Sequence, residues 1–135
     1  MNSWTSWRRT TRWSSWGDDG LSEETTFIFR SRVEPGSRFW EGLRLSAAFV
    51  GMDHIPLIVF MDAAVPGLLP NALPLRQLWE YLKTTADLAG IHVLDSDMEE
   101  VGLTLADLDP QLNVQMITLD ELAERLAENR VVVIF

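Results

Sequence analysis

Asp62 is the first residue of this sequence to consider for chemistry. It closes a nearly unbroken apolar run, Ile55, Leu57, Ile58, Val59, Phe60 and Met61, and a small-residue turn ending Val65-Pro66-Gly67 follows it. In open α/β sheets, sites lie outside the carboxyl ends of the strands, so 62–67 is where function is sought first. Few other side chains compete. His54 and His92 stand alone at strand starts, with no acidic cluster at metal-ligand spacing, and read as structural. Ser96 reads as a helix cap, because no histidine is placed to activate it. The acidic run Asp95, Asp97, Glu99 and Glu100 has the charge to hold a divalent cation, but such a run is ordinarily a solvated helix start. No Gly-rich loop has phosphate- or dinucleotide-binding spacing. The 135 residues contain no cysteine, which excludes a thiol nucleophile, a disulfide and a thiolate metal site.

The elements that must position Asp62 follow from the periodicity. The run before it reads as a strand buried on both faces, as in a parallel sheet covered by helices. Upstream, TTFIFR is a β-branched and aromatic strand, followed by a Pro-Gly loop. Ser37 is the expected N-cap of a helix over 38–53. On that helix Phe39, Leu43, Ala47 and Val50 share one face, while Leu45, Ala48, Phe49 and Met52 share another. Two apolar faces leave two outcomes open: both are buried within the domain, or one meets a second subunit. A helix over 75–89 carries the stripe Leu75, Leu78, Trp79, Leu82 and Ala86, with Gly90 as its C′ residue. IHVL is a third strand. Ser96 with Glu99 matches a capping box for one short turn, stopped by Gly102. TLADLDP is a further turn and NVQMI a fourth strand. Thr118 with Glu121 caps a helix to about 128, with Leu119, Leu122, Ala123 and Leu126 as its stripe. VVVIF is expected to be a last, buried strand. The order βαβαβαβαβ predicts an α/β fold: a single flavodoxin-like domain whose mostly parallel five-stranded sheet has helices on both faces.

Composition narrows the function. The length suits one domain with a proper core. A formal charge of -9 argues against nucleic acid as a direct partner. No apolar stretch reaches the ~18–20 residues that span a bilayer, and no secretory signal opens the chain, so a cytoplasmic location is expected. Residues 1–24 stand apart, with Trp4, Trp7, Trp13 and Trp16 among Ser, Thr, Arg8, Arg9 and Arg12. They lack periodicity and read as a disordered leader to a domain over 25–135.

Two resemblances bear on Asp62. With Val65-Pro66-Gly67 it resembles the strand-end aspartate of response-regulator receiver domains, which is phosphorylated. That chemistry needs Mg²⁺ held by further acids and a lysine for the phosphate. Here the first strand ends in Arg30, Ser31 and Arg32, the only lysine is Lys83 inside a helix, and Asp62 ends the second strand rather than the third. The broader match covers nearly all of 25–135. Trp40-Glu41-Gly42-Leu43, Ala47-Ala48-Phe49, the strand to Asp62 with its turn before Leu68, the segment 96–104 (SDMEEVGLT), Asp107-Leu108 and the terminal Val-Ile-Phe resemble, in order and spacing, the DsrE/DsrF-like sulfur-relay family, closest to its DsrF and TusC subunits. Ala63 and Ala64 depart from the Asp-Asp-Gly-Val common there.

The resemblance implies a subunit of a persulfide-transfer complex, serving tRNA thiolation or sulfur oxidation, with cysteine-bearing paralogous subunits as partners in a hetero-oligomer, possibly a hexamer. The paralogues' relay cysteine corresponds to Leu94, Asp95 or Ser96, none of which can carry a persulfide. The implied role is non-catalytic and structural, with no cofactor and no metal. The alternatives are a stand-alone homo-oligomer of the same family and the receiver-like phosphoacceptor. The uncharged stretch 63–75 holds Val65, Leu68, Leu69 and Leu73, stiffened by Pro66, Pro70 and Pro74. A monomer is expected to expose it, which makes those four residues the candidate interface.

Overall fold

The computed structural model describes residues 25–129 and 131–135; the leader at 1–24 lies outside them. Each strand of the expected alternation forms. They are β1 (Thr25–Phe29), β2 (Leu57–Phe60), β3 (His92–Leu94), β4 (Gln115–Ile117) and β5 (Val131–Ile134). The helices are α1 (Arg38–Gly51), α2 (Arg76–Leu88), α3 (Asp95–Val101) and α4 (Leu119–Glu128). The sheet is parallel throughout, in the order β4-β3-β2-β1-β5. The flavodoxin-like layering, a parallel five-stranded sheet with helices, is what the chain adopts, while the strand order differs from the 2-1-3-4-5 of flavodoxin in placing β5 rather than β2 on the far side of β1. The direction of strand addition reverses between β1 and β5, which is the topological switch point.

Burial on both faces explains the central apolar run. All four residues of β2 are buried. Ile58 and Phe60 join the larger core with Phe27 and Phe29 of β1, Phe39 and Leu43 of α1, and Leu78 and Leu82 of α2. Leu57 and Val59 point the other way, to a smaller core with Leu94, Ile117 and Leu122 of α4. The period-2 geometry of a strand sends alternate side chains to opposite layers. Aromatic rings fill the larger layer. Phe29 stacks on Phe60 with centroids 4.6 Å apart, and Phe39 meets both rings edge-on at 5.6 Å.

Several expectations change. α1 buries its Phe39, Leu43 and Val50 face; on the second apolar face Phe49 is half-buried against Phe27, whereas Leu45, Ala48 and Met52 are exposed, so the described residues cover that face only in part. Ser37 holds the N-cap position, but its hydroxyl donates to the Arg32 carbonyl and caps nothing. Ser96 is not a cap either, because α3 begins one residue earlier and Leu94 is its N-cap. The Thr118–Glu121 capping box forms, with both of its hydrogen bonds in place. A second box, Thr104 with Asp107, opens the 3-10 turn Leu105–Asp107. On α4 only Leu122 is fully buried and Leu126 half-buried, while Leu119 and Ala123 face out. The last strand is an edge strand. Val131, Val132 and Ile134 are exposed because, among the described residues, β5 pairs only with β1, and the smaller core around α4 lies over β2, β3 and β4.

Candidate functional site

The carboxyl edge of the sheet is built around the backbone of Asp62. Two residues past the end of β2, Asp62 has φ 52, a left-handed conformation that aspartate tolerates better than most residues. That turn sends the chain into a 3-10 helix, Asp62–Leu68. Its N-cap residue, Met61, offers no side-chain cap. The missing acceptor comes from α3, where Asp97 Oδ2 takes the Asp62 backbone N–H at 2.7 Å. The Asp62 carboxylate in turn accepts from Arg30 Nε at 2.7 Å, just beyond β1. Three consecutive parallel strands are thus tied at their carboxyl ends by one polar chain, Arg30–Asp62–Asp97. Arg30 and Asp62 are about half exposed, so their ion pair is worth at most ~1 kcal/mol. The link positions backbone more than it adds stability.

Asp62, Ala63, Pro66, Asp97, Glu100 and Val101 line a shallow cavity of about 290 Å³ beside this chain. Asp62 is legible in the sequence, whereas Arg30 reads there as the end of a strand and Asp97 as part of a solvated run. Nothing local marks them as its partners, which stand 32 and 35 residues away along the chain. Among the described residues no three His, Asp or Glu side chains converge as metal ligands. Lys83, the residue a receiver would need near its aspartate, pairs with Asp87 on α2 at 2.6 Å.

β3 runs out beside this edge. Leu94 is buried in the smaller core, Asp95 is half-buried and Ser96 is exposed in the first turn of α3. His54 lies against Phe49 with ring centroids 4.9 Å apart, a packing role. His92 sits at the opposite, amino end of β3. Burial there lowers its pKa from the usual 6.5, opposed by a backbone interaction with Ile58.

The candidate interface needs correction. Val65 and Leu68 are 0% exposed and belong to the larger core, together with Ala64. The 3-10 turn places them three residues apart on one inward face, and Gly67 lets that turn approach Phe39. Leu69 and Leu73 are half-buried and pack against the same core. Of the apolar residues in 63–75, Leu75 is the large one that remains exposed.

No protein-family model matches the chain, and no curated protein sequence does. Among solved structures, the chain is similar to the crystal structure of the ychN protein from E. coli, with a TM-score of 0.60 and 22% identity over 83% of this chain and 99% of that one. At that identity the likeness is one of fold. Among the described residues, no helix is long and apolar enough to cross a membrane.

Proposed function

We propose that this chain is a non-catalytic, structural subunit of a sulfur-relay complex of the DsrE/DsrF-like kind, of the DsrF/TusC type. One observation carries the reading. Where β3 gives way to α3, the position that would bear a relay cysteine is occupied by Leu94, Asp95 and Ser96, and the sequence holds no cysteine anywhere. Persulfide transfer requires a thiolate to attack the outer sulfur of a donor persulfide. The polar groups at this edge are engaged in holding one another, Asp62 by Arg30 and the Asp62 N–H by Asp97. The edge is a braced frame without a nucleophile, which suits a subunit that shelters a partner's cysteine.

The fold shared with the ychN protein and the ordered motif matches along 25–135 support the reading. So do the exposed apolar residues Leu45 and Met52 on the outer face of α1, and Leu75 beyond the strand ends. The partner in this reading is a cysteine-bearing paralogue. The test is coexpression with such a paralogue, followed by native mass spectrometry and a persulfide-transfer assay. The expected result is a mixed complex in which the partner gains sulfur and this chain gains none. A partner that assembles and transfers sulfur equally well without this chain overturns the reading.

A stand-alone homo-oligomer is the second reading, favoured by β5. That strand is an uncharged, Pro-free edge, and such edges readily pair with another strand. A chain that forms a stable homo-oligomer alone, and ignores the paralogue, selects this reading instead.

A further inference from the structure

A second cavity lies away from the braced edge, between the start of α2 and the turn before β4. It holds about 630 Å³, within the range of small-molecule sites. Its lining includes Pro70, Leu73, Trp79, Pro110, Arg76 and Asp109. Asp109 is the anomaly. It is 7% exposed, yet no cation lies within salt-bridge distance of it among the described residues. Buried aspartates are rarely left without a partner charge. Local structure accounts for one oxygen: Oδ1 accepts the Gln111 backbone N–H at 3.0 Å and so caps the turn Pro110–Leu112. Oδ2 has a single donor, the Trp79 indole N–H, at a long 3.4 Å. Arg76 lies in the same wall, but its guanidinium is already paired with Glu80 at 3.1 Å.

We propose that this cavity is a binding site for an organic cation, an ammonium or guanidinium group. The group donates hydrogen bonds to Asp109 Oδ2, and its carbon stem packs on Trp79, Leu73 and the two prolines. A carboxylate without a counter-ion recognises the charge, and the indole adds an aromatic surface on which a cation is stabilised. Free amines and the side chain of an arginine or lysine on another protein share this chemistry. The proposal does not depend on the sulfur-relay reading.

The Trp79 indole N–H reports on the site directly, because it touches Asp109. Its resonance in ¹H–¹⁵N spectra of the full chain, identified by its loss in Trp79→Phe, is followed while n-butylammonium, ethylguanidinium and the tripeptide Gly-Arg-Gly are added at constant ionic strength. A saturable shift at millimolar concentration is expected, weakened about tenfold or more in Asp109→Asn, the scale of one charged hydrogen bond. Tighter binding of the small cations indicates a free amine, and tighter binding of the tripeptide a protein side chain; either supports the site. Arg76→Ala removes a rim cation without touching Asp109, and is expected to leave binding unchanged or stronger. The proposal fails if sodium chloride alone reproduces the shift, if Asp109→Asn binds as well as the natural chain, or if Arg76→Ala abolishes binding, which would mark an anion site.

Discussion

Gly42 shows how single residues constrain this fold. It sits inside α1, where glycine costs about 0.5–1 kcal/mol relative to alanine. The reason is contact: a Cβ there would lie 2.6 Å from ring atoms of both Phe29 and Phe135. Gly42→Ala is therefore expected to lose about 1–3 kcal/mol to overpacking in urea unfolding, despite its better helix propensity. Gly51, at the end of the same helix, has open space where a Cβ would go, with nothing within 4 Å. Gly51→Ala should instead be neutral or gain up to ~1 kcal/mol. Equal effects of the two changes would refute the packing argument. His92 supplies a pH dependence. Burial lowers its native pKa below 6.5, and the backbone interaction with Ile58 offsets this only in part. Above 6.5 both the folded and unfolded chains hold it neutral, and its contribution to stability is complete. As pH falls through 6.5 the unfolded chain takes up the proton first, so stability is lost toward the lower native pKa. Unfolding midpoints measured on both sides of that pH should converge in His92→Gln; an unaltered slope would assign the effect elsewhere.

At the scale of elements, two capping boxes read from the same sequence pattern separate cleanly. Thr118 and Glu121 exchange both bonds at the start of α4, so Thr118→Ala should cost about 0.5–2 kcal/mol. Ser96→Ala should change stability by less than ~0.5 kcal/mol, because that exposed side chain lies inside α3 and caps nothing. Comparable losses in chemical denaturation would restore Ser96 as a cap. The turn Asp62–Leu68 is where surface and core trade places most fully. Leu68 is part of the domain's own core, and Leu68→Ala should lose about 2–5 kcal/mol whatever the protein concentration. A loss that vanishes on dilution would return Leu68 to an interface.

For the whole molecule, the question is which surfaces the domain leaves unmatched. The outer face of α1 is the clearest, since its inner face already meets the sheet and Leu45 and Met52 remain exposed. Under the subunit reading, Leu45→Asp with Met52→Asp should leave circular dichroism and the unfolding midpoint near those of the natural chain, yet remove the complex from size-exclusion and native mass spectra. A complex that survives both substitutions would exclude this face.

Local pattern was enough to establish the alternation of strands and helices, the parallel sheet, the buried central strand and the Thr118 cap. Each is written in periodicity or in a pair three residues apart, where a few neighbouring side chains decide the backbone's state. Composition alone settles that this sequence supplies no cysteine thiol as a nucleophile. The rest waited on the assembled sheet. Asp62 found Arg30 and Asp97 only when three strand ends came together. The apolar stretch after Asp62 looked like surface because loops usually are; packing against Phe39 turned it into core. VVVI looked buried because buried strands are uniformly apolar, but a strand's burial depends on its place in the sheet, and β5 lies at an edge. Asp109 looked like part of a polar turn until folding enclosed it beside Trp79. Spacing along the chain fixes local conformation, whereas burial and pairing between distant residues depend on which elements the completed sheet sets side by side.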